Sequence, residues 1–158
     1  MLPDGPLITY QVEAWSRVLP ELEACWKDHW REIAHDQDRM PLAVDYAAYR
    51  ALEVQGWLHV LTVRVDEELA GYCISVICGH LHYATTLCAV VDVYYVKPGY
   101  RAGFLGVRLF RELERCLKAR GAQKVFLSTK LAHDKGALFR RLRWRPVETV
   151  YSKWLGED

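Results

Sequence analysis

A long β-rich run, Leu87 to Val96 (LCAVVDVYYV), is stopped by Pro98-Gly99 and followed almost at once by an amphipathic stretch. Its near-continuous apolar character predicts a strand buried on both faces. Beyond the loop, Leu105, Leu109, Leu113 and Leu117 recur at helical spacing, and Val107, Phe110 and Cys116 widen the stripe. This predicts a helix from about Leu105 to Arg120, with Gly121 as its C-terminal stop. A buried strand that turns directly into a helix returning toward a sheet restricts the chain to α/β architectures.

The flanking segments complete the frame. Residues 7–13 alternate weakly and predict a first strand. Ser16 to Ala34 carries Leu19, Leu22, Cys25, Trp26, Trp30 and Ile33 at helical spacing, with Ser16 as N-cap and Pro20 in the first turn. Asp45 is placed to cap a second helix, Tyr46 to Val54, ended by Gly56. WLHVLTVRV and ELAGYCISVIC predict a hairpin through Asp66-Glu67-Glu68. A polar tip, His80–Thr86, follows. After the Leu105 helix come a short strand, KVFLST, a short helix from Asp134 to Leu142, and a final strand from Trp144 to Trp154. The helices after residue 98 alternate with strands, so part of the sheet is parallel. The expected fold is a mixed, mostly antiparallel sheet with helices on both faces, in a single domain spanning 1–158.

Composition narrows the function classes. A formal net charge of +1 over 158 residues gives no global case for nucleic-acid or membrane binding. No apolar run is long enough to span a bilayer, and Met1 to Tyr10 lacks the layout of a signal peptide. Five cysteines show no metal-ligand spacing and read as reduced thiols of a cytoplasmic protein.

The segment Val96-Lys97-Pro98-Gly99-Tyr100-Arg101-Ala102-Gly103-Phe104-Leu105-Gly106 carries the chemistry. A helix N-terminus has backbone N–H groups without intrahelical partners and the positive end of the helix dipole, which together receive phosphate or pyrophosphate. Small residues permit close approach, and Arg101 adds a charged donor. The segment is neither a Walker loop nor GxGxxG. It resembles the GNAT N-acetyltransferase motif, a strand ending V-x-P-x-Y-R followed by Q/R-x-x-G-x-G/A. Val96, Pro98, Tyr100 and Arg101 match the first part; Arg101 and Gly106 match the ends of the second. Phe104 departs from the usual middle glycine, and Gly103 lies one residue earlier. The combination of His80-Leu81-His82-Tyr83, Asp92 and Tyr100-Arg101 also resembles a group of GNAT proteins of bacteriophages.

The resemblance implies a GNAT-like acyl-CoA N-acyltransferase fold. It implies acetyl-CoA as co-substrate, held by Tyr95, Val96, Arg101, Ala102, Gly103, Phe104, Leu105, Gly106, His133 and Phe139. The family's thiolate-protonating tyrosine falls at Phe139, which has no hydroxyl; Tyr94, Tyr95, His133 or water would have to replace it. GNAT domains often dimerise, and the C-terminal strand is a candidate homodimer contact.

Acetyl transfer to an amine needs a proton acceptor, a polarised thioester and a stabilised leaving thiolate. Asp92, a carboxylate within an apolar strand, is the first candidate base, with structural pairing to Arg or Tyr as the competing role. His82 and Tyr94 are further catalytic candidates. His80 and Tyr83, with Trp30, are candidates for acceptor binding; a solvated loop, or a histidine hydrogen-bonded to Asp92, is the plainer role of the histidines. No third ligand joins His80 and His82, so no metal is expected. His29, Glu32, His35, Asp36 and Asp38 fit a solvated helix face by composition, whereas the resemblance places that region over the acceptor. The expected activity is N-acetyl transfer to a primary amine of a small molecule or protein. Two alternatives stand beside it: a GNAT-like enzyme modifying nucleic-acid bases, for which Arg140, Arg141, Arg143 and Arg145 argue and the near-neutral charge does not, and a non-catalytic acyl-CoA-binding module, for which Phe139 argues.

Overall fold

The computed structural model describes residues 5–157; the ends of the expected domain and the first four residues of the Met1–Tyr10 segment lie outside it. Five strands and four α-helices follow one another as β1 (Ile8–Val12), α1 (Trp15–Ile33), α2 (Tyr46–Val54), β2 (Leu58–Val65), β3 (Glu68–His80), β4 (Tyr83–Val96), α3 (Leu105–Ala119), β5 (Lys124–Phe126) and α4 (Gly136–Arg141). The sheet order is β1-β2-β3-β4-β5, antiparallel except for the parallel β4–β5 pair. Helices cover both faces, as expected. Among the described residues no helix is long and apolar enough to cross a membrane.

The two faces have separate cores. Under α3 and α4, Leu61, Val63, Cys73, Ala89 and Val91 meet Leu109, Phe110, Leu113, Leu117 and Phe139. Leu109, Leu113 and Leu117 are fully buried, each contributing about 2 kcal/mol by area removed from water. On the other face, Trp15, Val18, Leu22, Cys25 and Trp26 of α1 pack on Val60, Tyr72, Ile74 and Tyr95. Asp45 caps α2, its Oδ1 accepting from the Ala48 N–H at 2.9 Å.

Several local expectations give way. The N-cap of α1 is Ala14, without a side-chain cap. Ser16 is already helical, and its N–H donates to Glu53 at 3.2 Å. Pro20 therefore lies inside the helix beyond the first turn, where its ring removes one backbone hydrogen bond. The segment expected as a loop, 80–86, is mostly sheet. His80 pairs with Tyr83 across a two-residue turn, because polar residues on an exposed ladder still satisfy their backbone by pairing. The final strand is absent: residues 142–157 form no helix or strand, and Val147, Val150, Tyr151 and Leu155 are exposed. β5 is shortened to three residues. β4 is open on one side, with Val90 44% exposed, rather than buried on both.

The register of β4 is irregular as well. Ser75 pairs with Val91 and Ile74 with Val93, so Asp92 is an extra residue, a β-bulge. The bulge shifts the side-chain phase of β4. Ala89 and Val91 face the α3 core before it, and Tyr94 and Val96 do so after it, while Val93 and Tyr95 join the α1 core.

Candidate active site

β4 pairs with β5 only at Cys88–Lys124, Ala89–Val125 and Val90–Phe126, although β4 continues to Val96. Beyond Val90 its edge toward β5 has no strand partner among the described residues, and its outward backbone groups are available to a ligand. At the end of that edge the chain makes a short 3₁₀ turn, Pro98–Tyr100, and enters α3. Gly103 takes φ +83°, so the left-handed step that requires glycine falls there and not at residue 104. Phe104 is the N-cap, 71% exposed and without a side-chain cap bond. The first helical backbone bond here is Arg108 N–H to Phe104 O, 2.9 Å. The N–H groups of Leu105, Gly106 and Val107 are thus left for an anion.

Arg101 is not left free for that anion. Its Nε donates to Val96 O at 2.8 Å, its Nη2 meets Glu32 of α1 at 2.6 Å, and its guanidinium lies 5.4 Å from the centre of the Tyr95 ring. The hydrogen bond from Arg101 lowers the Glu32 pKa, with His133 adding a smaller electrostatic pull. His133 itself is exposed, in the 3₁₀ turn Leu131–His133.

The bulge delivers Asp92 to the α1–α2 side. It is exposed, not buried as expected from its apolar neighbours, and it accepts a short hydrogen bond from the Tyr49 hydroxyl. Burial, and then the bond to Asp92, raises the Tyr49 pKa, so Tyr49 stays a donor. Tyr49 is held in turn by a parallel stack on Trp15, 5.3 Å between centroids. Asp92 and Tyr49 border a cleft of about 300 Å³, walled by Trp26, Trp30, Ile33, Leu42 and Val44. His29 forms part of it and is 4% exposed. Its Nδ1 is 2.9 Å from the Tyr72 hydroxyl and its Nε2 has no partner. Desolvation lowers the His29 pKa to about 4, so the ring is neutral at pH 7.

Trp30 and Asp92 are therefore brought together, and the hairpin-tip candidates are not. His80, His82 and Tyr83 form a ring cluster at the β3–β4 turn, with His80–Tyr83 centroids 4.7 Å apart. Roughly nine residues of strand, about 30 Å of rise, separate Tyr83 from Asp92. Among the described residues no three His, Cys, Asp or Glu side chains gather as a metal site requires. Tyr94 faces the α3 side, edge-on to Phe110 at 5.3 Å and to Phe139 at 6.0 Å, and burial raises its pKa. Phe139 is 6% exposed within that aromatic cluster. Arg140, Arg141, Arg143 and Arg145 are all exposed. Sequence reasoning missed Tyr49 and took His29 for surface. His29 continues the buried spacing Leu22, Cys25, Trp26, so helical period alone would have turned it inward.

Residues 15–142 match the model of the acetyltransferase (GNAT) family. A Bacillus subtilis (strain 168) protein, assigned as a candidate ribosomal protein bS18-alanine N-acetyltransferase, is 27% identical over 135 residues, 83% of each chain. The aminoglycoside N-acetyltransferase AAC(6')-Iy, solved with CoA, superposes with a TM-score of 0.74 at 14% identity, covering 98% of both chains. An acetyltransferase of Clostridium acetobutylicum, solved with acetyl-CoA, gives a TM-score of 0.70 at 11% identity over 96% of both chains.

Proposed function

Because this chain belongs to the GNAT acetyltransferase family, we propose that it transfers the acetyl group of acetyl-CoA to a primary amine of a small molecule or protein. The observation that carries this reading is the junction of three features. The unpaired edge of β4, the open N-terminus of α3 and the cleft holding Asp92 all meet along residues 90–107.

The unpaired edge and the helix terminus fit a pantetheine-diphosphate: extended backbone donors and acceptors for the arm, and three free N–H groups for the diphosphate. Tyr95 and Val96 border the edge; Ala102, Gly103, Phe104, Leu105 and Gly106 form the loop. Arg101 braces this loop against α1 through Glu32, a positioning role, while His133 stands near the same end of α1. Bound there, acetyl-CoA supplies an acyl thioester at the side of β4.

Asp92 takes the proton of the incoming ammonium, directly or through water, and the Tyr49 hydroxyl orients its carboxylate. Backbone N–H on the open edge of β4 polarises the thioester oxygen. The position of the family's α4 tyrosine is filled by Phe139, and the Tyr94 hydroxyl supplies a proton beside it. His82, with His80 and Tyr83, has no part in this reading, because the β4 strand holds all three away from Asp92. Trp30 is kept as a wall of the acceptor cleft. The five free cysteines support a reducing compartment, in keeping with a cytoplasmic enzyme.

Acetyl-CoA added to the purified protein raises its melting temperature, and CoA thiol is released only when an amine acceptor is also present. No shift at millimolar acetyl-CoA sinks the reading. A shift without thiol release across a broad amine panel leaves a binding module instead.

A further inference from the structure

The lining of the cleft restricts the acceptor more tightly than the reaction does. Two carboxylates, Asp92 and Asp45, lie on its border, and among the described residues no Lys or Arg lines it. Its walls are aromatic and aliphatic. Trp26, Trp30 and Tyr49 contribute aromatic side chains to them, a kind of lining that suits a cation as well as excluding water. His29, the one imidazole in the lining, is buried and neutral, so it does not oppose a cation. A volume of about 300 Å³ is at the small end for ligand sites and fits a compact head group, with the rest of the acceptor outside it.

His29 adds a directional feature. If the Tyr72 hydroxyl donates to Nδ1, the imidazole proton sits on Nε2, and Nε2–H is the single orphan. The other tautomer leaves both the Tyr72 proton and Nε2 without partners. The first arrangement therefore wins, and the unpaired donor lies beneath the cleft surface, with no exposed area of its own.

Resting on the acetyl-transfer reading, we propose that the acceptor is a monocationic primary amine on an apolar or aromatic body with no adjacent carboxylate. Two sources share this chemistry: an arylalkylamine, or the free α-amine of a peptide whose first side chain is apolar. A free amino acid brings its carboxylate beside Asp92 and Asp45 with no cation in the lining to offset it. A polyhydroxylated polyamine sets its hydroxyl groups against walls that are mostly apolar.

The probes are phenethylamine, phenylalaninamide, a peptide amide beginning with Phe, phenylalanine and kanamycin. Binding is read by quenching of tryptophan fluorescence in the presence of CoA, and turnover by CoA release from acetyl-CoA. The amine and the amides bind and turn over at least about tenfold better than phenylalanine or kanamycin. Asp45→Asn keeps the α2 cap, since Asn caps as well as Asp, and narrows the amide-over-acid preference. A peptide amide preferred over phenethylamine points to a peptide source; the reverse order points to a small amine. Phenylalanine equal to its amide, or kanamycin above both, overturns the cleft assignment while CoA release preserves acetyl transfer. Failure of both amine and amide to bind also overturns the assignment. Quenching by the amine and amide without any CoA release keeps the assignment and overturns transfer.

Discussion

The two faces of the sheet are built from similar material and end up with different properties. Under α3 the leucine stripe and the Phe110–Phe139–Tyr94–Trp144 aromatic cluster close the core. Opposite, α1 brings three tryptophans, yet the packing stops at the α1–α2 connection and leaves a cleft. The closed face shuts its polar groups, such as His59 and Ser75, away inside the packing. The open face carries a carboxylate, Asp92, at its surface, with His29 beneath it. An aromatic side chain is structural on one side and available for recognition on the other.

The largest test of that contrast removes one ring from each face. Phe139→Ala is expected to cost about 4 kcal/mol in urea unfolding, the usual cost of emptying a buried aromatic site. Trp30→Ala, on the partly exposed cleft wall, is expected to cost under about 1 kcal/mol while weakening amine binding. Equal unfolding costs would erase the distinction.

Acid probes both faces at once, since each buries one neutral histidine. His59 lies on the α3 side against Arg120, and burial, then Arg120, lowers its pKa to about 4; His29 has the same value on the cleft side. The unfolded chain binds these protons near pH 6.5 and the folded one only near pH 4. Stability contributed by the neutral rings is full above 6.5 and is lost as pH falls toward 4, about 3 kcal/mol for each. His59→Gln and His29→Gln should each flatten the slope of unfolding free energy against pH in that window. A slope unchanged by both substitutions would mean that neither ring is held neutral.

Asp92→Asn separates stability from chemistry on the open face. Turnover should fall about a hundredfold, equivalent to about 2.7 kcal/mol, with the melting temperature and acetyl-CoA binding kept. Unchanged turnover removes Asp92 as the base. The smallest effect is expected of Glu32→Gln, which breaks a partly exposed ion pair worth under about 1 kcal/mol. Loosening the loop that the pair braces should weaken acetyl-CoA about twofold by calorimetry. Tighter binding would instead mean that Glu32 withholds Arg101 from the anion.

Much of the frame was legible where one period dominates a segment. The leucines of α3 at every fourth position define its face, and Asp45 and Gly56 bracket α2. The anion loop was legible as a type, whereas the left-handed step at Gly103 and the capture of Arg101 by Glu32 depend on a contact across the fold. The strand expected at Trp144–Trp154 failed because alternation supplies a strand's side chains but not its neighbour. The short β5 offers little edge for it. The hairpin tip was drawn as a loop because its residues are polar, and pairing does not require apolar side chains. Asp92 stood out by its chemistry, but its direction was hidden. LCAVVDVYYV is apolar on both strand phases, so one inserted residue leaves no trace in the pattern.

That inserted residue acts on β4 as a frameshift acts on a message. Everything after Asp92 is read on the opposite face from where an uninterrupted strand would put it: Tyr95 toward α1, Tyr94 toward Phe139. Substituting Asp92 edits one letter and keeps the shift, whereas deleting it removes the carboxylate and the bulge together and leaves Val93 through Val96 on their present partners and faces, since Ser75 and Ile74 already oppose Val91 and Val93. A comparison of this strand with relatives therefore has to align the gap before it compares the residues.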